Sequence, residues 1–109
     1  MNMDQAKIVA VIRAYREGLE RLFGNQLVSV TLYGSFARGE GREDSDIDIL
    51  CVLRSPFDYG DAIRKSSELT AELSLAHDVV LSRVFVSEED MKTSNLPFFR
   101  NIRREGVPT

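Results

Sequence analysis

The spacing of apolar residues changes several times along the chain, and each change marks a predicted element. Ile8, Val11, Ile12, Tyr15, Leu19, Leu22 and Phe23 recur at helical spacing, which predicts an amphipathic helix over residues 3–23, ended by Gly24. In "QLVSVTLYG" the spacing falls to two, with Val28, Val30 and Leu32 alternating, and predicts a strand over 26–33. "GSFARGEGRED" follows as a glycine-rich loop with room for a short helical turn. "DIDILCVLR" is almost continuously apolar after its acids, as in a strand buried on both faces. Ser55, Pro56 and Gly60 mark a turn, and a second helix over 61–76 carries Ile63, Leu69, Leu73 and Leu75. "DVVLSRVFVS" predicts a third strand over 78–87, "SEED" a capped short helix over 87–93, and "NLPFFRNIRREG" a last helix from about Leu96 to Glu105, stopped by Gly106 and Pro108. This order predicts an α/β fold of α+β character, a mixed sheet packed with helices.

Composition narrows the setting. At 109 residues the chain is expected to form a single domain, residues 1–109, with a modest core. Its hydrophobic fraction of 43% and charged fraction of 28% are those of a soluble globular protein. No apolar run approaches the roughly 20 residues that span a bilayer, so no membrane association is expected. The charged N-terminal stretch does not read as a secretory signal. The single cysteine, Cys51, alternates with Ile49 and Leu53 and reads as buried packing in a reducing cytoplasm.

The charge is local. Between Arg38 and Asp48, five acids (Glu40, Glu43, Asp44, Asp46, Asp48) face two arginines, a net −3 that equals the charge of the whole chain. The acidic balance argues against direct nucleic-acid binding.

Asp46 and Asp48 lie two apart on a predicted strand, so their carboxylates share a face about 7 Å apart at Cα. Two such carboxylates repel and raise each other's pKa. A hard divalent cation relieves that repulsion, and Mg²⁺ commonly takes one or two carboxylates together with substrate phosphate. Upstream, Gly34 permits close backbone approach, Ser35 supplies a hydroxyl, and successive backbone N–H groups there can cradle a phosphate. A tight turn beside a solvated acidic loop is the plainer alternative for each part alone. Arg38 and Arg42 flank the cradle and pair either with phosphate or with Glu40 and Glu43. His77 reads as helix-end packing. Arg100, Arg103 and Arg104 form a basic patch on the last helix, and Tyr33, Phe36, Phe98 and Phe99 read as core or rim.

Gly-Ser, ten residues, then Asp-x-Asp, as in "GSFARGEGREDSDIDI", resembles the signature of the DNA polymerase β-like nucleotidyltransferase superfamily. The wording "GSFARG…SDIDI" and the chain length are similar to its minimal nucleotidyltransferase branch, the antitoxin-type partners of HEPN toxins, and "HDVVLSRVFVSEEDM" and "PFFRNIRREGVP" add weaker likeness. The resemblance implies a small palm-like domain with a mixed sheet of three to four strands. It implies that Gly34 and Ser35 hold the β- and γ-phosphates of a nucleoside triphosphate, and that Asp46 and Asp48 bind Mg²⁺, one ion or two. The third carboxylate of the family maps onto Asp78, as metal ligand or general base, the alternative being an acid in the turn before the strand.

The function so implied is transfer of AMP from ATP to a hydroxyl on a partner, a HEPN toxin tyrosine. The short chain leaves no room for an acceptor-binding domain, so the acceptor is expected from a partner protein or from a second copy in a homo-oligomer. Two other readings stay open: a non-catalytic antitoxin that acts by complex formation, and a transferase for a small molecule such as an aminoglycoside, or for an RNA end.

Overall fold

The structure is a computed structural model that describes residues 5–109. Helix α1 (Gln5–Phe23) runs into a 3-10 turn (Gly24–Gln26) and strand β1 (Leu27–Tyr33). A one-turn helix α2 (Gly34–Ala37) and an acidic loop lead to β2 (Ile47–Leu53). Helix α3 (Tyr59–His77), β3 (Leu81–Ser87), α4 (Glu88–Thr93), α5 (Pro97–Glu105) and a two-residue β4 (Val107–Pro108) complete the chain. The expected start of the first helix at residue 3 lies outside the described residues.

The four strands form one mixed sheet in the order β3-β2-β1-β4. β1 is antiparallel to β2 and to β4, while β2 and β3 are parallel and joined by the α3 crossover. β2 is apolar along nearly its whole length because it is buried from both sides. Ile47, Ile49, Cys51 and Leu53 enter one core with α1 and α3, and Leu50 and Val52 enter a second with Phe99 and Ile102 of α5. Cys51 is fully enclosed, and burial pushes its thiol up to about 12, as expected of a packing residue.

α1 meets the core through Ile8, Val11, Ile12, Tyr15, Leu19 and Phe23, as its spacing predicted. α3 does so differently. Its buried positions are Ala62, Ser66 and Thr70, four apart on one face, with Ile63, Leu69 and Leu73 at the margin. Leu75, expected among the helix's apolar residues, points to solvent with 84% of its surface exposed. The hydroxyls are satisfied inside the helix: Ser66 donates to the Ala62 carbonyl at 2.8 Å and Thr70 to the Ser66 carbonyl at 2.7 Å.

The starts of α3 and β3 differ from the expected ones by two and three residues. α3 starts at Tyr59 because the Asp58 side chain accepts the Asp61 N–H at 2.9 Å as an N-cap. β3 starts three residues later than expected because Asp78 terminates α3 in the left-handed region at φ 52. The Asp78 and Val79 N–H groups return to the Leu75 and Ser74 carbonyls there.

Candidate active site

The site is assembled where β1 ends and β2 begins. Tyr33, the last residue of β1, is paired with Asp48. The chain then turns through Gly34 at φ +75 into α2. A Cβ on Gly34 would collide with the Asp48 carboxylate. Glycine is therefore required here both for the backbone conformation and for the space the carboxylate occupies. The candidate cradle and the candidate metal ligand are thus in contact.

Ser35, the second residue of α2, is half-buried, and among the described residues its hydroxyl has no hydrogen-bond partner. The first N–H groups of a helix also lack intrahelical partners. The loop folds back tightly: the Glu40 N–H reaches the Ser35 carbonyl at 2.8 Å, and Arg38 donates its N–H to the Gly34 carbonyl at 3.2 Å. Gly41 is buried where any Cβ would meet the Phe36 ring, so Phe36 packs on its own loop.

Asp48 is the second residue of β2 and half-buried. Asp46, expected on the strand, immediately precedes it and is exposed, because pairing with β3 starts only at Ile47, whose N–H donates to the Val80 carbonyl at 2.8 Å. The two carboxylates interact all the same. Burial, and then the Asp46 charge, hold the Asp48 carboxyl above the ordinary carboxylate range, against a smaller opposing pull from Arg38. Asp48 and burial together push the Tyr33 phenol up to about 12, burial being the larger cause.

Arg38 is exposed; its Nε donates to Glu40 at 2.9 Å, and a second nitrogen lies 3.8 Å from Glu105. It is thus paired with Glu40, one of the two readings sequence left open, and close enough for its charge to act on Asp48. Arg42 is exposed, and among the described residues only its backbone is engaged, its N–H donating to the Ser45 hydroxyl at 3.1 Å.

The structure does not bring Asp78 to this cluster. It lies exposed at the end of α3, ahead of β3 rather than on it, and the residue that β3 pairs with Asp48 is Ser82. Among the described residues no three acidic, histidine or cysteine side chains converge to hold a metal ion. His77 ends α3 half-buried, as read from sequence. The basic patch on α5 divides: Arg103 donates to the carbonyls of Met91 and Ser94 and so ties α4 to α5, while Arg104 bonds Asn101 at 3.1 Å. Phe99 is core, and Phe98 stands half out of it with its ring edge-on to Tyr33 at 5.8 Å.

Of the two strand neighbours of Asp48, sequence reasoning read Tyr33 as core or rim and did not single out Ser82. The one signal for Ser82 was a lone hydroxyl within the apolar run "VVLSRVFV". A cavity of about 740 Å³, lined by Ile8, Ile12, Leu32, Phe36 and Val107, includes none of Gly34, Ser35, Asp46 or Asp48. No described helix is long and apolar enough to cross a membrane.

A glycine turn is thus pressed against the Asp48 carboxylate at the end of a small mixed sheet. The chain belongs to the nucleotidyltransferase-domain family, whose model matches residues 12–105. It is 35% identical over 107 residues to a Methanocaldococcus jannaschii protein provisionally named protein adenylyltransferase MJ0604, covering 97% of this chain and 96% of that one. It is 33% identical over 75 residues to protein adenylyltransferase MntA of Thermococcus cleftensis, covering 69% and 74%. A solved structure described as a minimal nucleotidyltransferase superposes with a TM-score of 0.65 at 26% identity, covering 98% of this chain and 97% of that one. The fold also recurs, at 20% identity and a TM-score of 0.56, in a toxin–antitoxin crystal structure with AMP-PNP, covering 97% of this chain and 72% of that one.

Proposed function

We propose that this nucleotidyltransferase moves AMP from ATP to a hydroxyl on a partner protein, a HEPN toxin tyrosine, and so acts as an antitoxin. The observation that carries the site is the contact between the Gly34 turn and the Asp48 carboxylate. The relatives' names speak for a protein acceptor, and the likeness of "GSFARGEGREDSDIDI" to HEPN-paired antitoxins speaks for the partner.

The donor set fits a hard cation: two carboxylates, all oxygen, beside a glycine turn whose backbone lies directly against Asp48. Asp46 and Asp48 would hold Mg²⁺, which when bound neutralises phosphate charge and makes the α-phosphorus more electrophilic. Gly34 and Ser35 bind the outer phosphates through backbone N–H groups and the Ser35 hydroxyl. Arg38 adds positive charge where pyrophosphate departs. The acceptor oxygen bonds to the α-phosphorus as the bond to the bridging oxygen breaks. Pyrophosphate takes that electron pair, and the hydroxyl proton is released to water.

The test uses purified protein, its cognate HEPN partner, Mg²⁺ and ATP labelled at the α-phosphate. Label is expected on the partner with the wild type, and a loss on the order of 100-fold or more with Asp48→Asn. Gly34→Ala, strained at positive φ and overlapping Asp48, is expected to lose transfer as severely and about 1–3 kcal/mol of stability. No label on the partner, with full protection of cells by Asp48→Asn, overturns the reading in favour of complex formation.

A further inference from the structure

We infer that Ser82 is the third oxygen donor of the cation site, in the place where an acid was expected; this rests on the nucleotidyltransferase reading above. β2 and β3 are parallel, with Asp48 paired to Ser82, Leu50 to Val84 and Val52 to Val86. Paired residues share a face. Leu50, Val52 and Val86 do meet in the second core, with Val84 packed against it, so Ser82 stands on the Asp48 face.

The register is firmly held. Arg83, on the opposite face, donates from Nε to the Ser66 hydroxyl at 2.7 Å and from a second nitrogen to the Ile63 carbonyl at 3.0 Å. A one-residue slip of β3 would break both bonds and turn every β3 side chain to the other face.

Ser82 is half-buried, and among the described residues its hydroxyl has no hydrogen-bond partner. A hydroxyl there contributes nothing to packing that alanine would not. It does offer a neutral oxygen beside the carboxylate, as the Ser or Thr of a phosphate-binding loop does for Mg²⁺. Asp78, four residues earlier at the left-handed end of α3, has no place in the β2–β3 pairing.

A site with two carboxylates and a neutral third donor attracts a bare cation less than a three-acid site does. It therefore takes its cation mainly together with the triphosphate.

The experiment titrates Mn²⁺ into the full chain, alone and with AMP-PNP, reading free Mn²⁺ by electron paramagnetic resonance, with melting curves for every variant. Ser82→Asp is expected to tighten nucleotide-free Mn²⁺ binding on the order of tenfold. Ser82→Ala is expected to weaken binding with AMP-PNP by about three- to tenfold, and Ser82→Thr to restore it to within about twofold. Asp78→Asn is expected to change neither. Ser82→Ala and Ser82→Thr add no charge and keep the test decisive if Ser82→Asp does not fold. Ser82→Ala binding as wild type does, whatever its melting temperature, overturns the assignment, as does Asp78→Asn weakening binding. Asp48→Asn binding Mn²⁺ with AMP-PNP as the wild type does overturns the nucleotidyltransferase site itself, a separate outcome.

Discussion

Asp48 is held in an unfavourable state by its own site. It is half-buried, faces Asp46, and has only the exposed Arg38 to offset that charge. Its carboxyl therefore titrates above the ordinary range, and the folded state binds its proton more tightly than the unfolded chain does. For a raised acid the sign is fixed: stability increases as pH falls through the folded pKa, and the ionised group costs stability above it. Asp48→Asn should accordingly melt higher than wild type at neutral pH, by roughly 1–4 °C, and the difference should vanish below about pH 4. Cation binding runs the other way, failing as pH falls through the same pKa. Asp46→Asn should lower that pKa and Arg38→Gln raise it, both measurable by NMR titration of the Asp48 carboxyl. The opposite order of shifts would contradict the geometry. The carboxylate repulsion was legible in the spacing Asp46-x-Asp48. The moderating arginine was only half legible, because Arg38 acts across the turn and its position depends on how the loop folds.

At the scale of elements, α1 and α3 are joined by a buried polar contact that the apolar pattern did not reveal. Tyr15, fully enclosed, bonds the Thr70 hydroxyl at 2.8 Å. Thr70 already gives its proton to the Ser66 carbonyl, so Tyr15 is the donor. Burial pushes the Tyr15 phenol up to about 12, so it remains a donor across the physiological range. The two ends of this bond are not equivalent. Tyr15→Phe removes the donor and leaves one acceptor lone pair unmet, at about 1 kcal/mol. Thr70→Val leaves a buried phenol O–H with no partner and should cost more, about 2–3 kcal/mol. Urea denaturation of both variants checks the order; equal losses would mean the phenol finds another acceptor. α1 was readable because its buried face is apolar. α3 was blurred because its face is Ala62, Ser66 and Thr70, and Leu75 outside it carried the misleading signal. The short α4 was legible because Ser87 and the acids behind it announce a cap, and the Asp90 N–H does bond the Ser87 hydroxyl at 3.0 Å.

Over the whole molecule, the long-range pairings were the least visible in the sequence. "GVPT" reads as the end of a helix, and two residues with proline among them carry no strand period. Yet Val107 and Pro108 pair with Leu32 and Thr31, and Thr109 bonds the Val30 carbonyl through both its N–H and its hydroxyl. Arg16 of α1 donates to the Thr109 carbonyl, so this short segment joins the sheet edge to α1. Gly106 makes the approach feasible, since a Cβ there would lie 2.7 Å from both the Ile102 carbonyl oxygen and the Thr31 methyl. The contacts fall on β1 directly before Tyr33 and the Gly34 turn, so β4 supports the strand end that carries the phosphate cradle. Deleting residues 107–109 should cost about 2–4 kcal/mol, three or so hydrogen bonds at roughly 1 kcal/mol each. Hydrogen exchange would localise the loss. The β1 amides that face β4 should exchange faster by 10-fold or more, on the order of 1.4 kcal/mol of local protection, while those of β3, on the far edge, should keep their rates. AMP-PNP binding should weaken with the β1 amides, because the turn at Gly34 would lose its fixed approach to Asp48. If β1 exchange is unchanged while global stability falls, β4 is only a surface staple and the site is held by β2 alone.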